Sequence, residues 1–245
     1  MPQAQDSGTQ RMPAPPTVAG EPQGIGEIVA AVLARLPPMD VVKNLGPPPE
    51  LSDYERFVRS LGPRHRSATL ENFRTQDAAA QRAIEALRQY ADRLAENLAA
   101  GRGLLLLGPS GTGKDHLLVA LGKEAAKLGK PVHRISGPEL FAFMRDAMHG
   151  GEEQQRLEVL QHVALLILSD PVPPLGGLTP YQASVLYGIV DFRWQQRKPT
   201  WCSLNVASSL EADERLGAAI VDRLQADAVV IRCCWPSWRR PAIVV

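Results

Sequence analysis

Residues 104–114 read Leu104-Leu105-Leu106-Leu107-Gly108-Pro109-Ser110-Gly111-Thr112-Gly113-Lys114, and this segment is the strongest indication of the fold class. Four successive leucines are typical of a short strand that is buried on both faces of a parallel sheet. The seven residues after them fit the pattern G-x-x-x-x-G-K, and a helical pattern begins near Gly113. A strand, a glycine-rich loop and a helix in this order predict a loop that curls backbone N–H groups around phosphates.

This loop predicts nucleotide binding. We expect its backbone to surround the β-phosphate and Lys114 to place its charge between the β- and γ-phosphates. The start of the helix near Gly113 adds a partial positive charge. His116 is expected to pack or cap at the start of this helix. The candidate nucleotide-binding residues are Gly108, Pro109, Ser110, Gly111, Thr112, Gly113, Lys114, Asp115 and His116.

The residue after Lys114 departs from the usual pattern. Ser or Thr normally follows the lysine because its hydroxyl binds Mg²⁺, but here the residue is Asp115. A carboxylate can bind Mg²⁺ directly, whereas without metal it repels phosphates. Nucleotide affinity is therefore expected to depend more strongly on Mg²⁺ than it would with Thr at this position.

A second departure lies about fifty residues further on. The apolar strand Leu165–Leu168 would usually lead into two acidic residues, one for the metal and one to polarise the attacking water. The sequence instead has Ser169, Asp170 and Pro171. Asp170 is therefore either a metal ligand displaced by one position or a catalytic base with a shorter side chain than glutamate. Both alternatives predict slow hydrolysis. Asp115 and Asp170 are the candidate metal ligands.

The rest of the chain alternates short apolar runs with helical patterns. Strands are predicted at 103–107, 131–135, 163–168, 200–206 and 228–233, and helices at 77–99, 113–128, 139–148, 152–161, 180–196 and 210–225. Strands separated by helix-length connections predict an α/β fold with a parallel sheet covered by helices on both faces.

Composition excludes several classes of protein. Lys and Arg number 27 and Asp and Glu 26, so a net charge of +1 predicts no particular partner. Three cysteines, with no Cys-x-x-Cys pattern, predict neither a disulfide framework nor a structural metal site. No apolar run reaches the roughly 18 residues of a membrane span, and no secretory signal is recognisable. We expect a cytoplasmic protein without a membrane partner.

The N-terminal quarter differs from the remainder. Eleven of the 21 prolines lie within residues 1–63, and no aromatic residue precedes Tyr54. This composition predicts a largely disordered segment at 1–62 and a folded domain at 63–245. An apolar stripe at 25–36 predicts one short helix, which either packs on its own domain or docks on another protein.

Five short segments, in order over residues 63–240, resemble the AAA+ ATPases of the DnaC/IstB family. They are Ala68–Phe73 (A-T-L-E-N-F), Gly108–Leu117 with its His-Leu pair, Arg197–Asn205 (R-K-P-T followed by S-L-N), Leu216–Leu224, and Trp235–Arg239 (W-P-S-W-R). In the fourth segment, Ala218 and Ala219 replace the Glu-Arg pair of the family. The resemblance implies a P-loop NTPase fold of the AAA+ type with a small or reduced C-terminal lid.

The resemblance also implies roles for individual residues. Asn205 matches the residue that senses the γ-phosphate from a strand end, and Arg239 matches a second sensor. Arg223 matches the arginine that one subunit presents to the γ-phosphate of its neighbour. With Asp170, these residues make up the candidate catalytic set, and ATP and Mg²⁺ are the expected cofactors.

The resemblance implies two possible functions, and the departures at Asp115 and Ser169 motivate a third of a different class. The first is a helicase loader, a weak ATPase that assembles with ATP into homo-oligomers on single-stranded DNA or a replicative helicase. The second is a helper ATPase of a transposase, and the third is a nucleotide-binding scaffold with little or no hydrolysis. Basic clusters at Arg64–Arg66 and at 239–240 are candidates for DNA phosphate contact or are ordinary solvated surface.

Overall fold

The computed structural model describes residues 50–73, 77–173 and 175–239, without the side chains of residues 148 and 149. The helices are α1 (Asp53–Ser60), α2 (Pro63–Arg66), α3 (Ala78–Asp92), α4 (Leu94–Ala99), α5 (Lys114–Lys127), α6 (Gly137–Gly150), α7 (Glu153–His162), α8 (Pro180–Gln195), α9 (Ser209–Leu216) and α10 (Ala218–Gln225). The strands are β1 (Leu104–Leu107), β2 (Val132–Ser136), β3 (Leu165–Ser169), β4 (Thr200–Leu204) and β5 (Val229–Arg232).

The five strands form one parallel sheet in the order β2-β3-β4-β1-β5. Strand β1 lies between β4 and β5, with Leu106 opposite Ser203 on one side and Ile231 on the other. Its four leucines are at most 2% exposed, as the unbroken apolar run predicts. The carboxyl ends of β1, β3 and β4 therefore meet at one edge of the sheet, where a parallel α/β sheet binds its ligands.

Helices cover both faces of the sheet. Leu104 and Leu106 join a core with residues of α1, α3 and α5, whereas Leu105 and Leu107 join a second core with residues of α6, α8 and α10. This division follows from the alternation of side chains along a strand. The predicted three-layer α/β architecture is confirmed.

Two predicted helices are each interrupted. The pattern at 77–99 predicts one helix, but the chain leaves helical geometry at Arg93, between α3 and α4. The pattern at 210–225 is likewise divided by Gly217, whose φ of 92° separates α9 from α10. The apolar spacing continues through both breaks because both halves pack on the same core, so periodicity alone did not reveal them.

The compact unit begins earlier than the predicted boundary at Gly62-Pro63. Helix α1 starts with a capping box at Ser52 and Glu55, and it buries Phe57 to 2% exposure in the core that α5 also contacts. The compact unit that contains the sheet begins at Leu51. The predicted helix at 25–36 and most of the proline-rich segment lie outside the described residues.

The chain after β5 crosses back over the glycine-rich loop. Within the described residues after β5, 233–239 contain no helix. The Trp235 indole Nε1 donates to the Thr112 carbonyl at 2.8 Å, and the Trp238 N–H donates to the Gly111 carbonyl at 2.9 Å.

Within the described residues, no helix combines the length and apolar character that a membrane span requires.

Candidate nucleotide-binding site

The glycine-rich loop connects β1 to α5, as the sequence predicts. Three of its glycines have positive φ, at 151° for Gly108, 89° for Gly111 and 88° for Gly113. Side chains are disfavoured in this region, and at Gly113 a Cβ atom would also lie 2.6 Å from the ring of Phe73. The loop conformation therefore depends on glycine at this position for two separate reasons.

Lys114 is held by acceptors at the centre of the site. Its ammonium donates to the carbonyls of Gly108 at 2.7 Å and Pro109 at 2.8 Å, and to Asn205 Oδ1 at 2.7 Å. Only 5% of this residue is exposed. Burial lowers the pKa of the ammonium, while nearby Cys233, Asp170 and Asp115 act in the opposite direction. The fold therefore places a buried cation at the loop, where an anion in the cleft could bind to it.

Asn205 links this lysine to Asp170. The Asn205 backbone N–H donates to Asp170 Oδ1 at 3.0 Å, and its side-chain amide donates to the other carboxylate oxygen. Asp170 follows β3 with a φ of 48°, which is uncommon for a residue with a side chain. Burial raises the pKa of the Asp170 carboxyl, against the lowering effect of the Asn205 hydrogen bonds.

Asp115 belongs to a separate hydrogen-bonded group. Its Oδ1 accepts from the Ser203 hydroxyl at 2.6 Å, and its Oδ2 lies 3.1 Å from Arg134 Nη2 on β2. The charge that the sequence places unusually beside Lys114 is thus paired with an arginine from a neighbouring strand. Sequence patterns did not identify Arg134 or Ser203, because neither belongs to the loop motif.

Ser169 lies at the end of β3, where an acidic residue was expected. Its side chain is buried, with 2% of the residue exposed, and its hydroxyl has no hydrogen-bond partner among the described residues. It stands opposite Ser203 in the parallel register of β3 and β4.

Aromatic side chains cover the loop on one side. Phe73 makes edge contacts with the rings of His116, Trp235 and Trp238, at centroid distances of 5.5, 6.2 and 5.8 Å. The His116 ring nitrogen Nε2 lies 2.9 Å from the Thr69 carbonyl oxygen. The segments Ala68–Phe73 and Trp235–Arg239 thus meet at the glycine-rich loop. The His116 ring packs against Phe73.

These groups surround one cleft of about 340 Å³. It brings together most of the residues that the sequence singled out. Its lining is Arg64, His65, Ser110, Gly111, Gly113, Lys114, Asp115, His116, Asp170, Ser203, Asn205 and Arg239. Arg64 and His65, which are candidates for contact with DNA phosphates, line this cleft.

Arg223 lies elsewhere. It pairs with Asp191 and donates to the Tyr187 hydroxyl at 3.1 Å, and its guanidinium stacks near the rings of Tyr187 and Trp194. It lines a small depression with Trp194 and Arg197 rather than the cleft of its own chain. Of the four candidate catalytic residues, Asp170, Asn205 and Arg239 share the cleft, and Arg223 does not.

Comparison with known proteins identifies the family. The family model described as IstB-like ATP binding protein matches residues 56–242, which is more than half of the chain. The replicative helicase loader DnaC of Escherichia coli strain K12 is 29% identical over 189 residues, or 75% of this chain and 74% of DnaC. A putative ATP-binding protein of an insertion sequence from Bacillus thuringiensis subsp. berliner is 29% identical over 141 residues, covering 56% of this chain and 55% of that protein.

Solved structures agree with this fold. The crystal structure of the DnaC helicase loader matches 70% of this chain and 99% of its own with a TM-score of 0.64 at 22% identity. DnaA from Aquifex aeolicus, bound to AMPPCP, matches 71% of this chain and 51% of its own with a TM-score of 0.59 at 21% identity. The chain belongs to the IstB-like ATP-binding family and is an AAA+ P-loop protein of the DnaC/IstB type.

Proposed function

We propose that this protein is an ATP-dependent accessory factor of DNA replication that acts on a replicative helicase in the cytoplasm. The observation that carries the proposal is the meeting of Lys114, Asn205, Asp170 and Arg239 around one cleft above the glycine-rich loop. Each of these residues comes from a different segment of the chain, so their meeting depends on the fold. The similarity to the replicative helicase loader DnaC of Escherichia coli supports the choice of partner.

Bound ATP would place its phosphates against Lys114 and the loop. The acceptors that now hold the ammonium are two carbonyls and one amide oxygen, and phosphate oxygens can take over part of this role with stronger, charge-assisted bonds. Asn205 would then be released from Lys114 while it still holds Asp170. This exchange gives Asn205 a way to respond to the presence of the γ-phosphate.

The residues in the cleft fit Mg²⁺ bound together with ATP. Mg²⁺ commonly uses one or two carboxylates in combination with phosphate oxygens and waters, and Asp115 and Asp170 line the cleft. No group of three His, Cys, Asp or Glu side chains within the described residues forms a metal cage. When bound, Mg²⁺ would neutralise the charge of the β- and γ-phosphates. Asp115 and Asp170 would hold it.

Slow hydrolysis is expected from the position of Asp170. Both of its oxygens accept hydrogen bonds from Asn205, and its side chain is shorter than the glutamate that often occupies such a position. A carboxylate that is held in this way polarises an attacking water less freely. We propose a weak ATPase in which Arg239 acts within the chain and Arg223 acts on a neighbouring copy in an ATP-dependent homo-oligomer.

Single-stranded DNA is the proposed second partner of the assembled form. With 27 basic and 26 acidic residues, the single chain lacks the excess of charge that supports tight nonspecific binding. Assembly would repeat the same basic side chains along a strand. A transposase is the alternative protein partner, and the similarity to the insertion-sequence protein of Bacillus thuringiensis supports it.

The test compares Lys114→Ala with Lys130→Ala, which removes an exposed lysine beyond the end of α5. Binding of a fluorescent ATP analogue and hydrolysis with single-stranded DNA are measured for both. We expect Lys114→Ala to lose binding, ATP-dependent capture of the replicative helicase from the same cell, and any hydrolysis, and Lys130→Ala to match the wild type.

The outcomes separate the candidate functions. Capture of a transposase in place of the helicase would favour the helper ATPase. Nucleotide binding and capture without hydrolysis would favour the scaffold. Equal nucleotide binding by Lys114→Ala and the wild type would contradict the proposed site.

A further inference from the structure

Two positions that usually serve Mg²⁺ in phosphate-loop proteins carry side chains of exchanged chemical type, one lining the cleft at Asp115 and one buried beside it at Ser169. In the usual phosphate loop a hydroxyl follows the lysine on the helix, and a carboxylate stands at the end of a neighbouring strand. Here the carboxylate of Asp115 is on α5, and the hydroxyl of Ser169 ends β3. The total complement of one hydroxyl and one carboxylate is preserved, although each has moved to the place of the other.

The strand register brings the two positions to the same region. Ser169 lies opposite Ser203 in the parallel pairing of β3 with β4, so their side chains leave the same face of the sheet. The Ser203 hydroxyl donates to Asp115 Oδ1 at 2.6 Å. Ser203 therefore donates to the carboxylate on the helix and pairs in register with Ser169 on the adjacent strand.

The Ser169 hydroxyl has no partner among the side chains and backbone groups that the structure describes. The residue is 2% exposed, and its oxygen makes no hydrogen bond among the described residues. A buried hydroxyl without a partner is costly and uncommon, and such groups often serve an ion or a water. Mg²⁺ retains several of its waters when it binds with nucleotide phosphates, and these waters need acceptors and donors around them.

We propose that the chain has exchanged the two metal-binding tasks, so that Asp115 on α5 binds Mg²⁺ and Ser169 on β3 supports its water shell. The proposal rests on nucleotide binding at Lys114. It goes beyond that binding because it assigns to Ser169 a role that no motif gives it. It also places the carboxylate of this pair of positions on α5 rather than at the end of β3, in addition to Asp170.

Arg134 pairs with the carboxylate that the proposal assigns to Mg²⁺. Its guanidinium lies 3.1 Å from Asp115 Oδ2, and 17% of its side chain is exposed. Without a metal ion, this arginine offsets the carboxylate that would otherwise repel phosphates. Metal and Arg134 would then share Asp115 once nucleotide is bound.

The experiment measures binding of a fluorescent ADP analogue to the full chain, with Mg²⁺ or with EDTA. The quantity compared is the ratio of the Kd in EDTA to the Kd in Mg²⁺. We expect a ratio well above one for the wild type. Asp115→Asn should bind more tightly in EDTA, because a negative charge is removed, and its ratio should fall by about tenfold or more. Glu124→Gln, at an exposed carboxylate on the same helix, is the control and should keep the wild-type ratio.

Two further variants test the exchange itself. Ser169→Ala should lower the ratio by about tenfold through loss of support to the metal waters, without a change in thermal unfolding that would signal damage to the sheet. The double variant Asp115→Thr with Ser169→Asp restores the usual arrangement. We expect Asp115→Thr alone to lower the ratio of the Kd in EDTA to the Kd in Mg²⁺. The double variant should regain the higher ratio.

The results separate this proposal from the proposed function. Absence of nucleotide binding by the wild type would overturn both. Tight binding with equal Kd values in Mg²⁺ and EDTA, or a wild-type ratio in Asp115→Asn, would leave nucleotide binding intact and show that Asp115 only pairs with Arg134 and Ser203. Should the double variant unfold, Asp115→Asn and Ser169→Ala decide the question alone.

Discussion

Gly113 shows how one residue connects the loop to the chain that covers it. Its φ of 88° lies in the left-handed region, and the space beside its Cα is filled by Phe73. Phe73 in turn contacts His116, Trp235 and Trp238, which come from α5 and from the C-terminal segment. The backbone that faces the phosphates and the aromatic cover are therefore fixed by the same contact.

We predict that Gly113→Ala abolishes nucleotide binding and lowers the free energy of unfolding by more than Gly129→Ala. Both glycines have positive φ, so both substitutions carry a strain of roughly 1–2 kcal/mol. Only at Gly113 would the new methyl group lie 2.6 Å from a ring atom, since nothing lies within 4 Å at Gly129. Chemical denaturation and analogue binding measure the two effects.

Equal stability of the two variants would show that Phe73 moves away at little cost. Retained nucleotide binding by Gly113→Ala would show that the loop tolerates the altered backbone.

The sequence identified individual residues better than it identified their partners. Gly113 and Lys114 stand in a motif of fixed spacing, and Asn205 stands in a segment that resembles the family, so the sequence pointed to all three. The partners of Asp115 could not, because Arg134 and Ser203 approach it only through the registers of β2 and β4. Ser169 could be noticed as a missing acid, but only the structure shows that its hydroxyl is buried without a partner.

At the scale of elements, Arg193 connects helix α8 to the strands beneath it. It is completely buried, and its guanidinium donates to the carbonyls of Leu160, Gln161, Val163 and Pro199 and to the Thr200 hydroxyl. Burial lowers the pKa of this guanidinium to about 9. These bonds satisfy the carbonyls at the end of α7 and the chain that leads into β4.

We predict that Arg193→Met lowers the free energy of unfolding by roughly 3 kcal/mol. Methionine fills much of the same volume but leaves several buried carbonyls without donors, and each unsatisfied group costs about 1–3 kcal/mol. Arg93→Met is the matched control, because Arg93 forms an ion pair between side chains that are 68% and 67% exposed. Exposed pairs contribute at most about 1 kcal/mol.

Urea denaturation of both variants makes the comparison. A loss below about 1 kcal/mol for Arg193→Met would show that water or rearranged backbone replaces the missing donors.

The elements themselves followed from periodicity, whereas their interruptions did not. Runs of buried leucine and isoleucine predicted β1 and β3 within a residue or two, because a strand buried on both faces leaves a continuous apolar pattern. The break at Arg93 has no glycine or proline to announce it. The break at Gly217 has a glycine, yet the apolar spacing on both sides of it fits one helix equally well.

For the molecule as a whole, the compact unit begins before the boundary that proline-rich composition indicates. The proline-rich composition extends to Pro63, but Phe57 and Leu61 are buried in the core of the compact unit, each at 2% exposure. One apolar residue in a short helix and one directly after it carry too little periodicity to outweigh the surrounding prolines. The covering of α5 by α1 could therefore be found only from the packing.

Arg223 raises a question that belongs to the assembly rather than to the single chain. It does not line the cleft that contains Lys114, and it is held by Asp191 with Tyr187 and Trp194 beside it. If it contacts a γ-phosphate, the nucleotide must therefore be bound to another copy. A contact of this kind would make assembly dependent on both Lys114 of one chain and Arg223 of the next.

We predict that Lys114→Ala and Arg223→Ala each stay monomeric with ATP and Mg²⁺, and that a mixture of the two recovers a dimer. In the mixture, the intact cleft of Arg223→Ala can meet the intact arginine of Lys114→Ala, which completes one interface. Arg223→Ala alone should bind nucleotide with wild-type affinity, because its own cleft is unchanged. Analytical ultracentrifugation of each variant and of the equimolar mixture measures this, with Arg232→Ala, at an exposed position on β5, as the control.

Arg223→Lys distinguishes the contact with nucleotide from the ion pair with Asp191. Lysine keeps a positive charge beside that carboxylate but lacks the planar, bidentate geometry with which arginine binds phosphate. We therefore expect Arg223→Lys to unfold at the wild-type temperature and still fail to assemble. Normal assembly of Arg223→Ala with ATP, or a mixture that remains monomeric although both variants are folded, would contradict a role for Arg223 between subunits, and its place would then be that of a structural partner of Asp191.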